Sequence, residues 1–437
     1  MSNVQDETNW WNPILRFAAV SDIGMRRTNN QDSHREVPAA SRRLWRTRGH
    51  LFVVADGMGA HAAGELASQI ATETIAQSYL KRTSETPYDA IRNAMLEAHH
   101  QIRRQGNEDD AFRDMGTTAD TLVLLPEGAV VGHVGDSRVY RLRGGVFEQL
   151  TFDHSLVWEI RRSGRITSDK MPSYIPKNVI TRSLGPTNNP QVDLEGPFPI
   201  HAGDTFLLCS DGLSGQIEDD ELAQILSLFS PKEAADSLVN LANLRGGPDN
   251  ITLIIVNVLG VPDPDEETEK TDRGYEKRPP FSHLTWLLFV CAFAAWLSIP
   301  AVFCTGAPLS PGHWFALGAI TLAFTALTLF FGRKTLFHRA SSRAVPALLG
   351  RGPYVHLSAA PTRTFAQKLL DIGHQLRDAV KTQNISPDWD RLTQLDQRAE
   401  KSMEEGDFAD AVFASMKSIN LLMSFIKGVC GRGSEKA

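Results

Sequence analysis

Two long stretches of this 437-residue chain carry no charged residue, Leu284–Phe303 and Trp314–Phe331. At about 1.5 Å of helix rise per residue, each is long enough for a hydrocarbon core about 30 Å thick. The break between them, Thr305–Gly312, holds two prolines and two glycines, so a tight turn is expected there. Arg273, Lys277 and Arg278 precede the pair, Arg333, Lys334, Arg339 and Arg343 follow it, and the inner loop has no basic residue. Basic flanks stay on the cytoplasmic side. The pattern predicts a two-helix transmembrane hairpin over 281–332 in a multi-pass protein of the cell (inner) membrane. A buried hairpin in a soluble protein is the competing reading, and it leaves the charge asymmetry unexplained.

The hairpin divides the rest of the chain. Residues 1–12 are a polar leader with neither the basic nor the apolar region of a secretory signal. Residues 13–260 mix strand-like and helix-like patterns. Residues 261–280 are charged and proline-bearing, and a flexible linker is expected. Residues 333–437 are polar and helical, with apolar residues recurring every three or four positions in three segments. That tail is expected to be a cytoplasmic α-helical bundle burying its own core, with partner binding or self-association as the sharper alternative. The net charge of −6 and the lack of a basic stripe in the first two-thirds argue against nucleic acid as a partner. Cys209, Cys291, Cys304 and Cys430 are scattered, so neither a disulfide framework nor a zinc site is expected.

In 13–260, short β-rich runs end in turn residues: Leu51–Ala55, Ala129–Val134, Thr205–Ser210 and Ile251–Val258. Thr86-Pro87 reads as a cap and first turn of a helix. Aspartates sit where strands end. Asp56 follows the first run and precedes Gly57, Asp211 follows the third, and Asp249 precedes the last; Asp32 and Asp153 lie in other turn-like segments. Each alone is an ordinary turn former. Together they can converge at one sheet edge, where carboxylates repel unless a cation lies among them. All-oxygen ligands suit Mg²⁺ or Mn²⁺, and two such ions can hold a bridging hydroxide and neutralise a phosphoryl group. No phosphate-cradling loop surrounds any cysteine, which leaves a thiolate route without support. Arg26 and Arg27, a few residues before Asp32, offer a guanidinium for a phosphate.

Read in order, SDIGMRRTNNQDS, LFVVADGMGAHAAGELAS, MGTTADTLVLL, VGHVGDSRVYRLR, QLTFDHSLV, NVITRSLG, GDTFLLCSDGLSG and GGPDNITLIIV resemble the type 2C (PPM) metal-dependent protein phosphatases, bacterial type. The resemblance implies an α+β fold, a β-sandwich flanked by helices in four α-β-β-α layers. It implies hydrolysis of phosphoserine and phosphothreonine at a dinuclear Mn²⁺ or Mg²⁺ centre, opposing a serine/threonine protein kinase. In that frame Asp56 bridges two metals, the Gly57 carbonyl binds one, Asp211 and Asp249 complete the second site, and Asp32 holds metal-bound water or ligates weakly. Arg27, unlike Arg26, matches the phosphate-binding arginine. Asp153 matches an aspartate that, with Asp211, holds a loosely bound third metal. Residues 159–185 fall at the variable flap, and Asp136 and Asn250 are expected to be structural.

Three departures from the family pattern stand out. Ala60 replaces a glycine, Met58 stands where eukaryotic members have a histidine, and Gln31 replaces a common glutamate. His61 is expected to anchor a helix. The alternative function is a non-catalytic, degenerate phosphatase domain acting as a binding or sensor module; such domains usually lack one or more of the metal aspartates, and here the set is complete.

Overall fold

The computed structural model describes residues 14–60, 62–162, 175–176, 179–260, 349–382 and 387–434. The chain divides into two units, and the described residues belong to one of them, Met1–Val261 together with Ala347–Ala437. The leader, the linker and the predicted hairpin lie outside the described residues.

Side chains alternate across a strand, and the pleat of strand β3 (His50–Met58) sets the layers. Leu51, Val53 and Ala55 join a core on one side, while Phe52 and Val54 join another on the opposite side. A strand apolar on both faces has to lie between two layers. Around it, β2 (Asp32–Val37), β5 (Ala119–Leu125), β6 (Gly128–Val134) and β9 (Asp193–Phe198) form an antiparallel sheet in the order β2-β3-β5-β6-β9, with β4 (Gly116–Thr117) paired to the end of β3. The second sheet runs β1 (Ile14–Asp22), β11 (Ile251–Gly260), β10 (Thr205–Cys209), β7 (Arg138–Arg143), β8 (Val146–Gln149) and β12 (Val355–Ser358). The sheets face each other across Phe52, Val54, Leu122, Phe206, Ile254 and Val256.

Helices cover both outer faces. Helix α1 (Arg42–Arg48) adds Trp45 to the central core. Helices α2 (Ala63–Lys81) and α3 (Pro87–Glu108) pack on the β3 sheet through Ile75, Ile91 and Met95. The Thr86 hydroxyl caps α3 by accepting from the Asp89 N–H, with Pro87 in the first turn. Two short helices follow, α4 (Leu156–Arg162) and α5 (Asp211–Ser214). On the β11 sheet lie α6 (Asp219–Leu228) and α7 (Pro231–Leu244), holding Leu222, Ala223 and Leu238 against Leu253 and Ile255. Four layers result.

The tail supplies its three predicted helices, α8 (Arg363–Thr382), α9 (Trp389–Glu405) and α10 (Phe408–Ser434). The expectation that they bury a core of their own holds only in part. Small clusters such as Leu370 with Ala399 and Ala414 are internal to the tail. Its main apolar face, however, including Phe365, Leu369, Val412, Met416 and Ile419, is one continuous core with α6, α7 and the β11 sheet. The Phe413 ring stacks on Phe229 at 5.1 Å, and Asn420 bonds both Ser237 (2.7 Å) and Asn240 (2.9 Å). Helix α10 is long and apolar enough to cross a membrane by length and composition, yet half of its apolar window is buried inside the fold. Those contacts make it a core helix. Ahead of the helices, β12 extends the sheet beyond β8. The buried Glu195 of β9 holds the entering chain by accepting from the Arg351 and Gly352 N–H groups (both 2.9 Å) and the Tyr354 hydroxyl (2.6 Å).

Candidate metal centre

One end of the sandwich gathers the strand-end aspartates. Asp32 opens β2 directly opposite Asp56 of β3, so two like charges face each other across a strand pair. Asp211 follows β10, and Asp249 stands two residues before β11. Asp56 lies close enough to Asp211 to feel its charge. Arg27 reaches in from the β1–β2 loop, its Nη2 2.7 Å from Asp249 Oδ2, with both side chains partly exposed.

Short backbone approaches fix these positions. A Cβ on Gly57 would lie 2.0 Å from the Gly64 carbonyl and 2.5 Å from that of Gln31, so only glycine fits. Gly24 has φ +78° and would collide with the Asp249 carbonyl at 2.2 Å, which presses the arginine loop onto the β11 start. Thr117 Oγ1 (2.8 Å) and the Thr118 N–H (2.9 Å) donate to the Asp56 carbonyl, and the Asp56 N–H donates to Thr118 Oγ1 at 2.9 Å. Ser210 Oγ donates to Asp32 Oδ2 at 2.8 Å.

Crowding shows in the electrostatics. Burial, then the charges of Asp211 and Asp249, push the Asp32 carboxyl up to about 7 against the opposing bond from Ser210. Burial, then the charges of Asp32, Asp211 and Asp136, hold Asp56 well above the carboxylate range. Asp211 is raised by burial and by Asp249. Among the described residues no three His, Cys, Asp or Glu side chains close into a ready-made cage. Two buried oxygens there, Asp32 Oδ1 and Asp136 Oδ1, have no hydrogen-bond partner. Orphaned, mutually repelling, all-oxygen donors fit a hard divalent cation.

A sequence profile described as Protein phosphatase 2C matches residues 25–243. This chain belongs to the protein phosphatase 2C family. Protein phosphatase PhpP of Streptococcus pneumoniae is 35% identical over 251 residues, 56% of this chain and 98% of PhpP. Serine/threonine protein phosphatase PstP of Mycobacterium tuberculosis is 34% identical over 247 residues, 56% of this chain and 45% of PstP. A solved catalytic domain of PstP, in complex with 2 manganese ions, shares 33% identity and a TM-score of 0.47, covering 56% of this chain and 97% of that one. By family the chain is a phosphoprotein phosphatase. The profile ends at residue 243, so the tail helices of this phosphatase lie outside it.

The structure sorts the other sequence-predicted residues of the phosphatase. Arg27 and not Arg26 meets the acidic cluster. Asp153, which the resemblance places at a third metal, is engaged by protein groups. Its carboxylate is taken by Arg138, which donates from Nε (2.9 and 3.0 Å) and Nη2 (2.7 Å), and by Gln149 Nε2 at 2.7 Å. With a buried counter-ion and a full set of donors, it is a poor ligand for a loosely held third metal. Asp136, expected to be structural, also feels the cluster: burial, then the charges of Asp211 and Asp153, push it up to about 7, and its Oδ1 is unsatisfied. The signal available was its place in the GDSR stretch, one residue past a strand and a glycine. Asn250 is structural in an organising sense. It accepts from the Gln31 N–H (2.8 Å) and donates to the Ile23 (2.9 Å) and Asn29 (3.0 Å) carbonyls, pinning the arginine loop.

The departures from the family pattern are accommodated. Among the described residues Asp114 is the one non-glycine with positive φ, so Ala60 carries no left-handed strain. Gln31 Nε2 donates to the Gly59 carbonyl at 3.3 Å. Met58 ends β3 opposite Gly116. His61 and flap residues 163–174, 177 and 178 lie outside the described residues. Asp114 lies two residues from that pairing, exposed and in a conformation that costs a non-glycine residue free energy; nothing in the pattern of the sequence marks it.

Proposed function

We propose that this phosphatase hydrolyses phosphoserine and phosphothreonine in proteins with two Mn²⁺ or Mg²⁺ ions held by Asp56, the Gly57 carbonyl, Asp211 and Asp249, with Asp32 acting through water. The observation that carries the reading is the meeting of these carboxylates, from both sheets, beside Arg27 at one end of the sandwich. When bound, the ions would activate water as the nucleophile and neutralise the charge of the transferring phosphoryl group. Arg27, on a loop pinned by Asn250, orients the phosphate with its planar fork. Thr117 and Thr118 hold the Asp56 backbone still. For a third ion Asp136 is the better donor than Asp153. Cys209 offers no thiolate nucleophile, since burial pushes its thiol up and keeps it neutral. The non-catalytic alternative needs a missing ligand, and none of these is missing. A serine/threonine kinase is the class of enzyme that supplies such substrates.

The test is hydrolysis of a phosphothreonine peptide by the detergent-solubilised full chain with Mn²⁺ and with chelator. Hydrogen bonds to a charged group contribute about 1.5–3 kcal/mol, so Arg27→Ala should lower kcat/KM about 10- to 150-fold. Chelator-insensitive activity, or an unaffected Arg27→Ala enzyme, would count against the reading.

The same proposal anchors the enzyme in a membrane through 281–332, with both polar parts cytoplasmic. Two things support it: the uncharged runs with their basic flanks, and the topology. The chain leaves the folded unit after Gly260 and rejoins it at Leu349, which bridges Gly196. Segments on either side of the insertion share one core, so any insertion crossing a bilayer must cross an even number of times. Alkaline carbonate should leave the full chain in the membrane pellet and release a variant with 281–332 replaced by a glycine-serine linker; release of the full chain would refute anchoring.

A further inference from the structure

A cleft of about 660 Å³ opens where the tail enters the phosphatase unit, and nothing in the catalytic reading uses it. One wall is α4 with Phe152, Trp158, Arg161 and Arg162; the floor is β9 with Arg182 before it; the other wall is Arg351 and Tyr354 of the tail. Its two acids are already engaged. Glu195 is held by the tail amides and Tyr354, and Asp193 by Arg182 (3.1 Å) and His154 (2.9 Å). No carboxylate pairs with Arg161, Arg162 or Arg351 among the described residues, and all three are exposed. One of these cations is ordered by an aromatic ring. Arg162 lies over Phe152 at 5.4 Å, and the Phe152 ring packs edge-on against Trp158 (5.1 Å) and Tyr354 (5.4 Å). Uncompensated, partly pre-organised guanidinium groups converging on one concave site are how proteins recognise phosphorylated or acidic segments.

We infer that this cleft binds a second phosphorylated residue of the substrate chain, so that the enzyme prefers multiply phosphorylated segments; the inference rests on the phosphatase reading above. Its position favours a substrate over a free anion. Two residues after Arg182, Leu184 pairs by backbone with Thr117, and Thr117 Oγ1 donates to the Asp56 carbonyl. Two extended residues reach about 7 Å, and the two strand spacings from Leu184 to Thr117 and from Thr117 to β3 add about 10 Å, so the backbone beside the cleft lies within about 17 Å of Asp56. About five extended residues of a peptide span that distance. Because Arg351 and Tyr354 come from a segment beyond the family profile, the preference belongs to this chain rather than to the fold.

The experiment compares two peptides on the full chain, one with a single phosphothreonine and one with a second phosphothreonine about five residues away. The expected result is at least about a tenfold higher kcat/KM for the doubly phosphorylated peptide. Arg161→Ala combined with Arg351→Ala should erase that preference while p-nitrophenyl phosphate and the singly phosphorylated peptide are hydrolysed at the unsubstituted rate. Equal rates for the two peptides, or a preference that survives in the variant, would overturn the inference. So would anionic phospholipid vesicles that bind the full chain through these arginines without any peptide preference. Fluorescence anisotropy of the labelled peptides in chelator reads the cleft without catalysis. Tighter, arginine-dependent binding of the doubly phosphorylated peptide there, with no Mn²⁺-dependent hydrolysis, would uphold the cleft and reject the phosphatase reading instead.

Discussion

Replacing Asp56 with asparagine is expected to lower kcat/KM at least about 10³-fold and, in the same protein, to stabilise the metal-free fold above pH 7. The first effect follows from position. Losing one preorganised group that stabilises transition-state charge commonly costs about 10²–10³-fold, and Asp56 sits where both proposed ions would be held. The second follows from proton linkage. Asp32 and Asp136 are raised from 3.8 to about 7 in the fold, and Asp56 is held well above the usual carboxylate range. The folded state therefore holds protons that the unfolded chain would release near pH 4. Its stability is fullest below that point and declines as pH climbs through about 7. Divalent ions reverse the decline, by about 2.7 kcal/mol at a hundredfold excess over Kd. Asparagine removes one of the raised groups, so the slope with pH should flatten and the Mn²⁺ gain should shrink. Urea denaturation at pH 5 and pH 8, with Mn²⁺ or with chelator, measures all of this. A metal-free protein no weaker at pH 8 than at pH 5 would show that the carboxylates do not repel as described.

Much of this site was legible because its chemistry sits at strand ends, where sequence patterns are strong. Asp56, Asp211 and Asp249 each adjoin a short β-rich run, and a sandwich has few ends. Arg27 was separable from Arg26 through the motif spacing alone; periodicity could not have chosen between them. What failed was long-range pairing of charges. That Asp153 would be claimed by Arg138 depends on the β7–β8 turn, which returns residue 153 beside residue 138. The orphaned Asp136 oxygen likewise exists only once Asp211 lies next to it. The tail shows the same limit. Its amphipathic spacing says that one face must be buried, and α8 and α10 do bury it, but periodicity carries no information about the partner surface.

That partner surface leads to the second large effect: the chain ended after β11 is expected to lose its fold, even though every residue of the candidate metal centre is retained. Phe365, Leu369, Val412, Met416 and Ile419 are essentially fully buried in a core shared with α6 and α7. Burying one such side chain contributes about 1.5–3 kcal/mol, so the set is comparable with the whole net stability of a typical domain, about 5–15 kcal/mol. Truncation would also strip β12 from β8, leaving an open sheet edge, and would leave Glu195 buried at the rim without its three donors. PhpP is covered over 98% of its length by little more than half of this chain, so the fold as such does not need a tail; here the α6–α7 surface is apolar and the tail covers it. Residues 14–260 alone should therefore aggregate or melt far below the full chain, and co-expressed residues 347–437 should rescue them. The milder Leu369→Ala should cost about 2–5 kcal/mol in a single transition that also ends phosphatase activity. A soluble, active 14–260 fragment melting with the full chain would show that the tail merely rests on the enzyme. If the rescue succeeds, the insertion between β11 and β12 joins two halves of one fold, and the catalytic unit forms only when both halves emerge on the same side of any membrane that the insertion crosses.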